Sequence, residues 1–290
     1  MNKRIKALFI FLLSNLLVTG VGVATENALA IKHHFIAVDN GNNQLLEVDQ
    51  FTGLTRTAKM PTTARDINRL AENLYLVSLA DGFAIFNAKS WKITQRVLLG
   101  KGIDSAYPLA NNEVLIVSNR PSSRLLRVNL SGTVLNEYNI ANIHDLRLAR
   151  VDQQGHYLFT STKPFRAISF DPETEQLTEF ALQGKGYELI KRDGLFYATT
   201  GLTRTVDVHH ANGQLISSYG GVKDHPDARL KWFSGFSLLA DKSVVVANWL
   251  GHKQQGTGPH LVQFDRNNKL IWQWEDHTLA AEITNFILLK

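Results

Sequence analysis

The chain has 290 residues, of which 44% are hydrophobic and 20% charged, and it contains no cysteine. That balance excludes a disordered, collagen-like or polytopic membrane chain. A sequence without cysteine has no disulfide scaffold, thiol nucleophile, thiolate zinc site or iron–sulfur cluster. The formal charge of +5 is a mild excess without a Lys/Arg-rich run, so nucleic-acid binding is not expected.

The first thirty residues have the pattern of a secretory signal peptide. A basic segment at 3–6 precedes the apolar run 7–18, and small residues follow at Ala24 and Ala30, either of which fits a cleavage site. An uncleaved anchor helix is the alternative, but polar residues interrupt a run that is barely long enough to span a bilayer. We therefore predict an exported, periplasmic or secreted protein that has no membrane span after cleavage and is a monomer.

Short apolar runs recur at nearly constant spacing along the remaining chain, residues 31–290, and each predicts a strand. They lie at 35–38, 74–79, 114–117, 157–159, 196–198 and 244–247. Their first residues are 39, 40, 43, 39 and 48 positions apart, and a period near 40 is typical of β-propeller blades. The pattern predicts a single all-β domain, a six-bladed β-propeller with four-stranded antiparallel blades.

The two ends of this region also fit a closed ring. It begins with a second strand at 34–38 and ends with an unpaired first strand at 283–289. Pairing the C-terminal strand with the N-terminal blade would complete that blade and hide two strand edges. The alternative of a two-sheet sandwich does not explain a regular four-strand period.

Two long loops of the last complete blade, 219–233 and 247–260, are predicted to form a binding face. Its ligand would be a small molecule, a carbohydrate or a protein. The candidate ligand-binding residues are Trp232, Asn248, Trp249, His252, Lys253 and His260. The Trp rings would form an aromatic platform, and His252 and His260 are the candidate acid/base groups. Alternatively, the Trp side chains fill the ring and the His side chains are solvated.

Carboxylates at the starts of the predicted first strands form a second candidate site. They are Asp66, Asp104, Asp145 and Glu188. First strands line the central channel of a propeller, and converging carboxylates suit Ca²⁺ or another divalent cation. The alternative function is therefore a metal-dependent hydrolase, of lactonase or esterase type, or a lyase. Otherwise each carboxylate accepts hydrogen bonds from neighbouring loop amides.

A basic set on three second-to-third loops is a candidate anion cradle or, alternatively, solvated surface charge. It comprises Arg120, Arg124, Lys163, Arg166 and Arg204. The sequence contains no GxSxG, Walker, HExxH or strand-linked GxGxxG motif. No motif therefore assigns a reaction.

The blade pattern resembles secreted bacterial six-bladed propellers of the PQQ-like, NHL and SMP-30/gluconolactonase group. VVVANWLGH at 244–252, GxGPHLVQFD ending at Asp265 and LIWQWED at 270–276 are similar to the last blade of exported PQQ-like propellers. The resemblance to quinoproteins implies PQQ, but the adjacent-Cys pair and the repeated Trp docking motifs are absent, which argues against PQQ. The resemblance to SMP-30 lactonases implies a divalent metal at the channel mouth, with Glu188, Asp145 and Asn248 as counterparts by position.

Overall fold

Six antiparallel sheets form the chain between residues 30 and 290, which are the residues that the computed structural model describes. Each sheet is one blade of a β-propeller, and the first strands of successive blades contact one another around a central channel. The predicted signal peptide lies outside the described residues except for Ala30. Within the described part of the chain, no helix is long and apolar enough to cross a membrane.

In every blade the first strand lines the channel and the fourth strand lies outermost. Blade 1 contains Ile283–Leu288 (β25), His34–Asp39 (β1), Gln44–Asp49 (β2) and Leu54–Lys59 (β3). Blade 2 contains Ala64–Ala71 (β4), Leu74–Leu79 (β5), Gly82–Asn87 (β6) and Lys92–Leu98 (β7). Blade 3 contains Ile103–Pro108 (β8), Glu113–Ser118 (β9), Arg124–Asn129 (β10) and Val134–Asn139 (β11).

The remaining three blades follow the same order. Blade 4 contains a broken first strand, His144–Leu146 (β12) and Arg150–Val151 (β13), then Tyr157–Lys163 (β14), Phe165–Phe170 (β15) and Leu177–Ala181 (β16). Blade 5 contains Gly186–Arg192 (β17), Leu195–Thr200 (β18), Thr205–His209 (β19) and Leu215–Gly220 (β20). Blade 6 contains Trp232–Leu238 (β21), Val244–Trp249 (β22), Leu261–Phe264 (β23) and Leu270–Trp274 (β24).

The predicted fold class and ring closure are confirmed. Strand β25 pairs antiparallel with β1, with Phe286 opposite Ala37, so both ends of the described region complete one blade. All six predicted second strands are present at the expected positions. Consecutive residues of these strands are buried, as in β9, because neighbouring blades cover both faces of each sheet. The outermost strands, such as β11, are mostly exposed.

The first strands share a feature that determines what faces the channel. In five blades the first strand has a β-bulge near its N-terminal end, where it carries one residue more than the second strand with which it pairs. These first strands are β4, β8, β17, β21 and β25. A bulge of this kind re-aims the side chains at that point. The residues at these bulges are Arg65, Asp104, Tyr187, Glu188, Ser234, Gly235 and Thr284. In blade 4 the break between β12 and β13 lies at the position that the bulge has in the other blades, and it contains Arg147.

Candidate functional site

A cavity of about 240 Å³ opens at one end of the channel, and we call it the channel-mouth pocket. Its lining residues are Asn40, Arg65, Arg147, Tyr187, Trp232, Ser234, Trp249, His252 and Thr284. Most of them come from first-strand bulges or from second-to-third loops. Three of the predicted ligand-binding residues, Trp232, Trp249 and His252, are brought together here.

Trp232, Trp249 and His252 form one side of the pocket, which we call the aromatic wall. The two Trp residues pair across β21 and β22, with ring centroids 6.3 Å apart and planes at 86°. The His252 ring lies 5.1 Å from Trp249. Trp232 packs on Gly201, where an added Cβ would lie 1.9 Å from the indole. Because only glycine leaves this space, Gly201 sets the position of the wall.

Glu282 supports the aromatic wall from behind. This buried carboxylate lies in the loop before β25, and its Oε2 is 3.2 Å from the Nε1 of Trp249 and 3.1 Å from the Nδ1 of His252. One oxygen therefore contacts two pocket residues. Glu282 was not predicted from the sequence, although its loop lies at the same end of the propeller as the second-to-third loops.

Arg65, Arg147 and Tyr187 form the opposite side, which we call the cationic wall. Arg65 forms an ion pair with Oδ1 of Asp104, and the Nη1 of Arg147 lies 4.0 Å from the same oxygen. Burial lowers the pKa of Arg65 below its usual value; Tyr187 opposes this, and the positive charges of Arg147 and Arg120 lower it further. Positive charge is therefore concentrated on this wall.

Tyr187 adds a neutral donor to the cationic wall. Burial raises the pKa of its phenol above the usual value, and this outweighs the opposing effect of Arg147 and Arg65. The hydroxyl consequently stays protonated at neutral pH. None of the three residues of this wall was predicted from the sequence, because the bulges that expose them have no distinct sequence signature.

Below the pocket, Arg150 occupies the position where a metal ion was predicted. Its Nη1 donates to Oδ2 of Asp66 and its Nη2 to Oδ1, both over 3.1 Å. Its Nε donates to Oε1 of Glu188 over 2.5 Å. All three side chains are buried. Burial raises the pKa of Glu188, and Arg150 opposes this shift. One guanidinium is therefore the positive partner of both carboxylates.

Further hydrogen bonds occupy the remaining oxygens of this buried cluster. Ser105 Oγ and Asn285 Nδ2 donate to Asp66 over 2.5 and 2.6 Å, and the amide of Phe236 donates to Glu188 Oε2 over 2.8 Å. Arg150 and Glu188 also line a second cavity of about 360 Å³ on the other side of the cluster. The cluster thus separates the channel-mouth pocket from the opposite end of the channel.

The other two predicted metal ligands lie elsewhere. Asp104 belongs to the bulge layer with Arg65, and Asn119 also donates to it. Asp145 lies at the rim, where its Oδ2 is 3.1 Å from the Nζ of Lys163. The four carboxylates do not converge, because they have separate cationic partners: Asp66 and Glu188 contact Arg150, Asp104 contacts Arg65, and Asp145 contacts Lys163. Between residues 30 and 290 no group of three or more His, Asp or Glu side chains is arranged to hold a metal.

Three predicted ligand-binding residues are placed outside the pocket lining. Asn248 is buried; its Oδ1 accepts from the amide of Lys231 over 2.7 Å, and its Nδ2 donates to the carbonyl of Pro259 over 2.7 Å. It therefore ties the two long loops together. Lys253 is exposed on the second of these loops.

His260, the other candidate acid/base residue, is buried behind the blade. Its ring centroid is 5.3 Å from Trp274 and 4.8 Å from His277. Burial lowers its pKa to about 4, and the charge of His277 lowers it as well. Neither ring nitrogen has a hydrogen-bond partner among the described residues.

Most of the basic set contacts other protein groups. Arg124, Lys163 and Arg166 form ion pairs of 3.0, 3.1 and 3.5 Å with Glu137, Asp145 and Glu179. Arg204 Nε donates to the carbonyl of Lys231 over 2.8 Å. Arg120 differs from these four, because its charge acts on Arg65 of the cationic wall.

Comparison with solved structures supports the propeller fold, whereas comparison with sequences finds no match. No protein-family model and no curated protein matches the sequence. A solved protein of unknown function from Bacteroides caccae superposes with a TM-score of 0.75 at 17% identity, covering 90% of this chain and 100% of that one. A streptogramin B lyase gives 0.60 at 12% identity, covering 88% and 98%.

A third solved structure, the calcium-binding protein regucalcin from Agrobacterium tumefaciens strain C58, gives a TM-score of 0.57 at 13% identity, covering 88% of this chain and 92% of that one. Identities this low show the fold alone. The lyase and regucalcin are six-bladed propellers, as the blade pattern of this sequence predicts. The chain therefore has a six-bladed propeller fold, which the lyase and regucalcin share.

Proposed function

We propose that this protein is an exported propeller that binds a small molecule in the channel-mouth pocket. The observation that carries the proposal is the meeting of the aromatic and cationic walls across one cavity of about 240 Å³. Small-molecule sites are concave and combine aromatic surface with a few polar groups. A cavity of this size suits a small molecule or a single sugar better than a protein.

The two walls give the pocket a binding chemistry. Trp rings stack on flat or sugar-like surfaces and keep a polar N–H for a partner. In this pocket the Trp249 N–H is held by Glu282, so its ring is fixed before the ligand arrives. Holding a contact surface in place lowers the entropy cost of binding.

The test is to measure ligand binding to a Trp249→Ala/His252→Ala double variant. Ligands would be found by native mass spectrometry of the purified protein and by a thermal-shift screen of small carboxylates, sugars and their neutral analogues. We expect the double variant to bind at least about fivefold more weakly, because loss of a central aromatic contact costs more than about 1 kcal/mol. Unchanged affinity would contradict the proposal.

A matched control removes another Trp and His away from the pocket. Trp91 packs on Phe86 with ring centroids 4.9 Å apart, and His210 is exposed after β19. We expect the Trp91→Ala/His210→Ala variant to retain the affinity of the wild-type protein, even where Trp91→Ala lowers the melting temperature.

The alternative, a hydrolase or lyase, draws support from His252. Glu282 contacts its Nδ1, which leaves the other ring nitrogen for proton transfer. The similar solved structures include a lyase and a calcium-binding protein. The test is to incubate lactones, esters and the identified ligand with the wild-type protein and with His252→Gln, with and without EDTA. Product that forms with the wild-type protein but not with His252→Gln would establish catalysis by this site. Loss of that product when EDTA is added would establish a metal requirement.

Export is a separate part of the proposal and rests on the pattern of residues 1–30. The test is the intact mass of the protein recovered from the periplasm or medium of a bacterial host. We expect a chain that begins at residue 25 or 31 after cleavage following Ala24 or Ala30. A chain that keeps residues 1–30 would contradict the proposal. The native mass of the same sample tests the expected monomer.

A further inference from the structure

We infer that the ligand is a small organic oxyanion, with its anionic group at the cationic wall and a flat ring against the aromatic wall. The inference deepens the proposed function and rests on it, because it names the ligand class of the same pocket. The anionic group of this ligand is a carboxylate, and phosphate and sulfate groups share its chemistry.

The charge on the cationic wall favours an anion. Arg65 and Arg147 both approach the same oxygen of Asp104, and Arg120 is close enough to lower the pKa of Arg65. Among the described residues, Asp104 is the carboxylate that contacts this wall. Two guanidinium groups therefore share one acidic partner, and Arg120 adds a third positive charge near them. An added anion would be attracted here, and a cationic ligand would be repelled.

The hydrogen-bond donors that face the pocket also favour an oxyanion. A guanidinium has five N–H donors in a planar fork that matches a carboxylate or phosphate. Arg147 makes no hydrogen bond through its side chain to any described residue, and its 4.0 Å approach to Asp104 is too long for one. Its side chain is 32% exposed and lines the pocket. The free fork is thus available to a ligand.

Tyr187 extends this donor set. Its hydroxyl has no hydrogen-bond partner in the described part of the chain, and the side chain lines the pocket together with Arg65 and Arg147. A protonated phenol donates one hydrogen bond. Two guanidinium forks and one hydroxyl on one wall suit an oxyanion, which accepts several hydrogen bonds at once. A neutral sugar would leave most of these donors unused.

The aromatic wall favours a flat ring in the part of the ligand that does not carry the charge. Glu282 is the carboxylate behind this wall, and its Oε2 is already occupied by Trp249 and His252. The surface that faces the pocket is therefore largely aromatic. The pocket is polarised, with donors on one side and rings on the other. A ring that carries one carboxylate, such as a uronate or an aromatic acid, matches both sides.

The test is a set of matched acid and neutral probes measured by calorimetry. The pairs are glucuronate with glucose and benzoate with benzamide, and phenyl phosphate and phenyl sulfate are the other oxyanions. We expect one acid to bind at least about tenfold more tightly than its neutral partner, and its affinity to fall as salt is added. Tighter binding of the phosphate or sulfate than of the carboxylates would identify that anion in place of a carboxylate.

The variant that tests the site is Arg147→Gln, with Arg166→Gln as its matched control. Both side chains are 32% exposed, but Arg166 pairs with Glu179 away from the pocket. We expect Arg147→Gln to reduce acid binding by about tenfold and to leave binding of the neutral probe unchanged. The control should change neither value, which separates a local contact from a general loss of positive charge.

Two results would overturn the inference, and they have different consequences. If neutral probes bind as tightly as the acids, and the Trp249→Ala/His252→Ala variant weakens both, the pocket is a binding site but not for anions. If neither acids nor neutral probes bind at millimolar concentration, the inference and the proposed small-molecule function both fail.

Discussion

Arg150 and Asp66 form a bidentate ion pair across the channel, with both N–O distances at 3.1 Å. The two residues are 84 positions apart and belong to blades 4 and 2. Glu188 of blade 5 completes the cluster through the Nε of Arg150. Two buried carboxylates share one buried guanidinium, so the cluster links three blades.

Removing the guanidinium should destabilise the propeller strongly. In Arg150→Met the carboxylates of Asp66 and Glu188 stay buried without a positive partner, and breaking such a pair costs about 3–5 kcal/mol. We expect a loss of this size in the free energy of unfolding, measured by urea denaturation. Arg166→Met is the control, because its partner Glu179 is exposed and such surface pairs contribute about 0–1 kcal/mol. Equal losses in the two variants would contradict the role assigned to Arg150.

Protonation of His260 should make stability depend on pH. Its folded pKa of about 4 lies below its ordinary value of 6.5, because burial disfavours the charged ring and His277 adds to the effect. The unfolded chain therefore binds a proton that the folded chain does not. Stability is full above about pH 6.5 and falls as the pH drops to about 4, with a total loss of roughly 3 kcal/mol.

The measurement is the free energy of unfolding against pH for the wild-type protein and His260→Phe. We expect the two curves to diverge as the pH falls through this range, with the wild-type protein losing more. Exposed His210 is the control, and His210→Gln should keep the wild-type slope. Parallel curves for the wild-type protein and His260→Phe would show that His260 titrates normally.

Gly201→Ala should displace the aromatic wall. The added methyl group would lie 1.9 Å from the Trp232 ring, so the indole must move. Overpacking of this kind costs about 1–3 kcal/mol. We expect a shift in Trp fluorescence and weaker ligand binding, whereas Gly184→Ala should show neither, since its nearest contact would be 3.2 Å from Leu202 Cβ. Wild-type affinity in Gly201→Ala would mean that Trp232 does not contact the ligand.

Glu282→Ala should loosen the same wall without changing its rings. Trp249 Nε1 loses its hydrogen-bond partner, and the exposed His252 ring loses the contact that orients it. We expect faster hydrogen exchange of the Trp249 indole N–H, followed by NMR, and weaker ligand binding, because a looser aromatic wall raises the entropy cost of binding. Glu275→Ala removes an ion pair with Arg229 outside the pocket and should leave both readouts unchanged.

The period of apolar runs was sufficient to determine the architecture, because every blade repeats the same local pattern of strands and turns. It predicted the closure of β25 onto β1, and it placed Trp232, Trp249 and His252 near one another because β21 and β22 are sequence neighbours. Side-chain partners across the ring were decided only by the tertiary structure. A bulge moves one residue out of register, and a shift by one residue reverses the face to which every following side chain points. The sequence shows Asp66 and Arg150 as separate charges, and the folded ring places them in one ion pair.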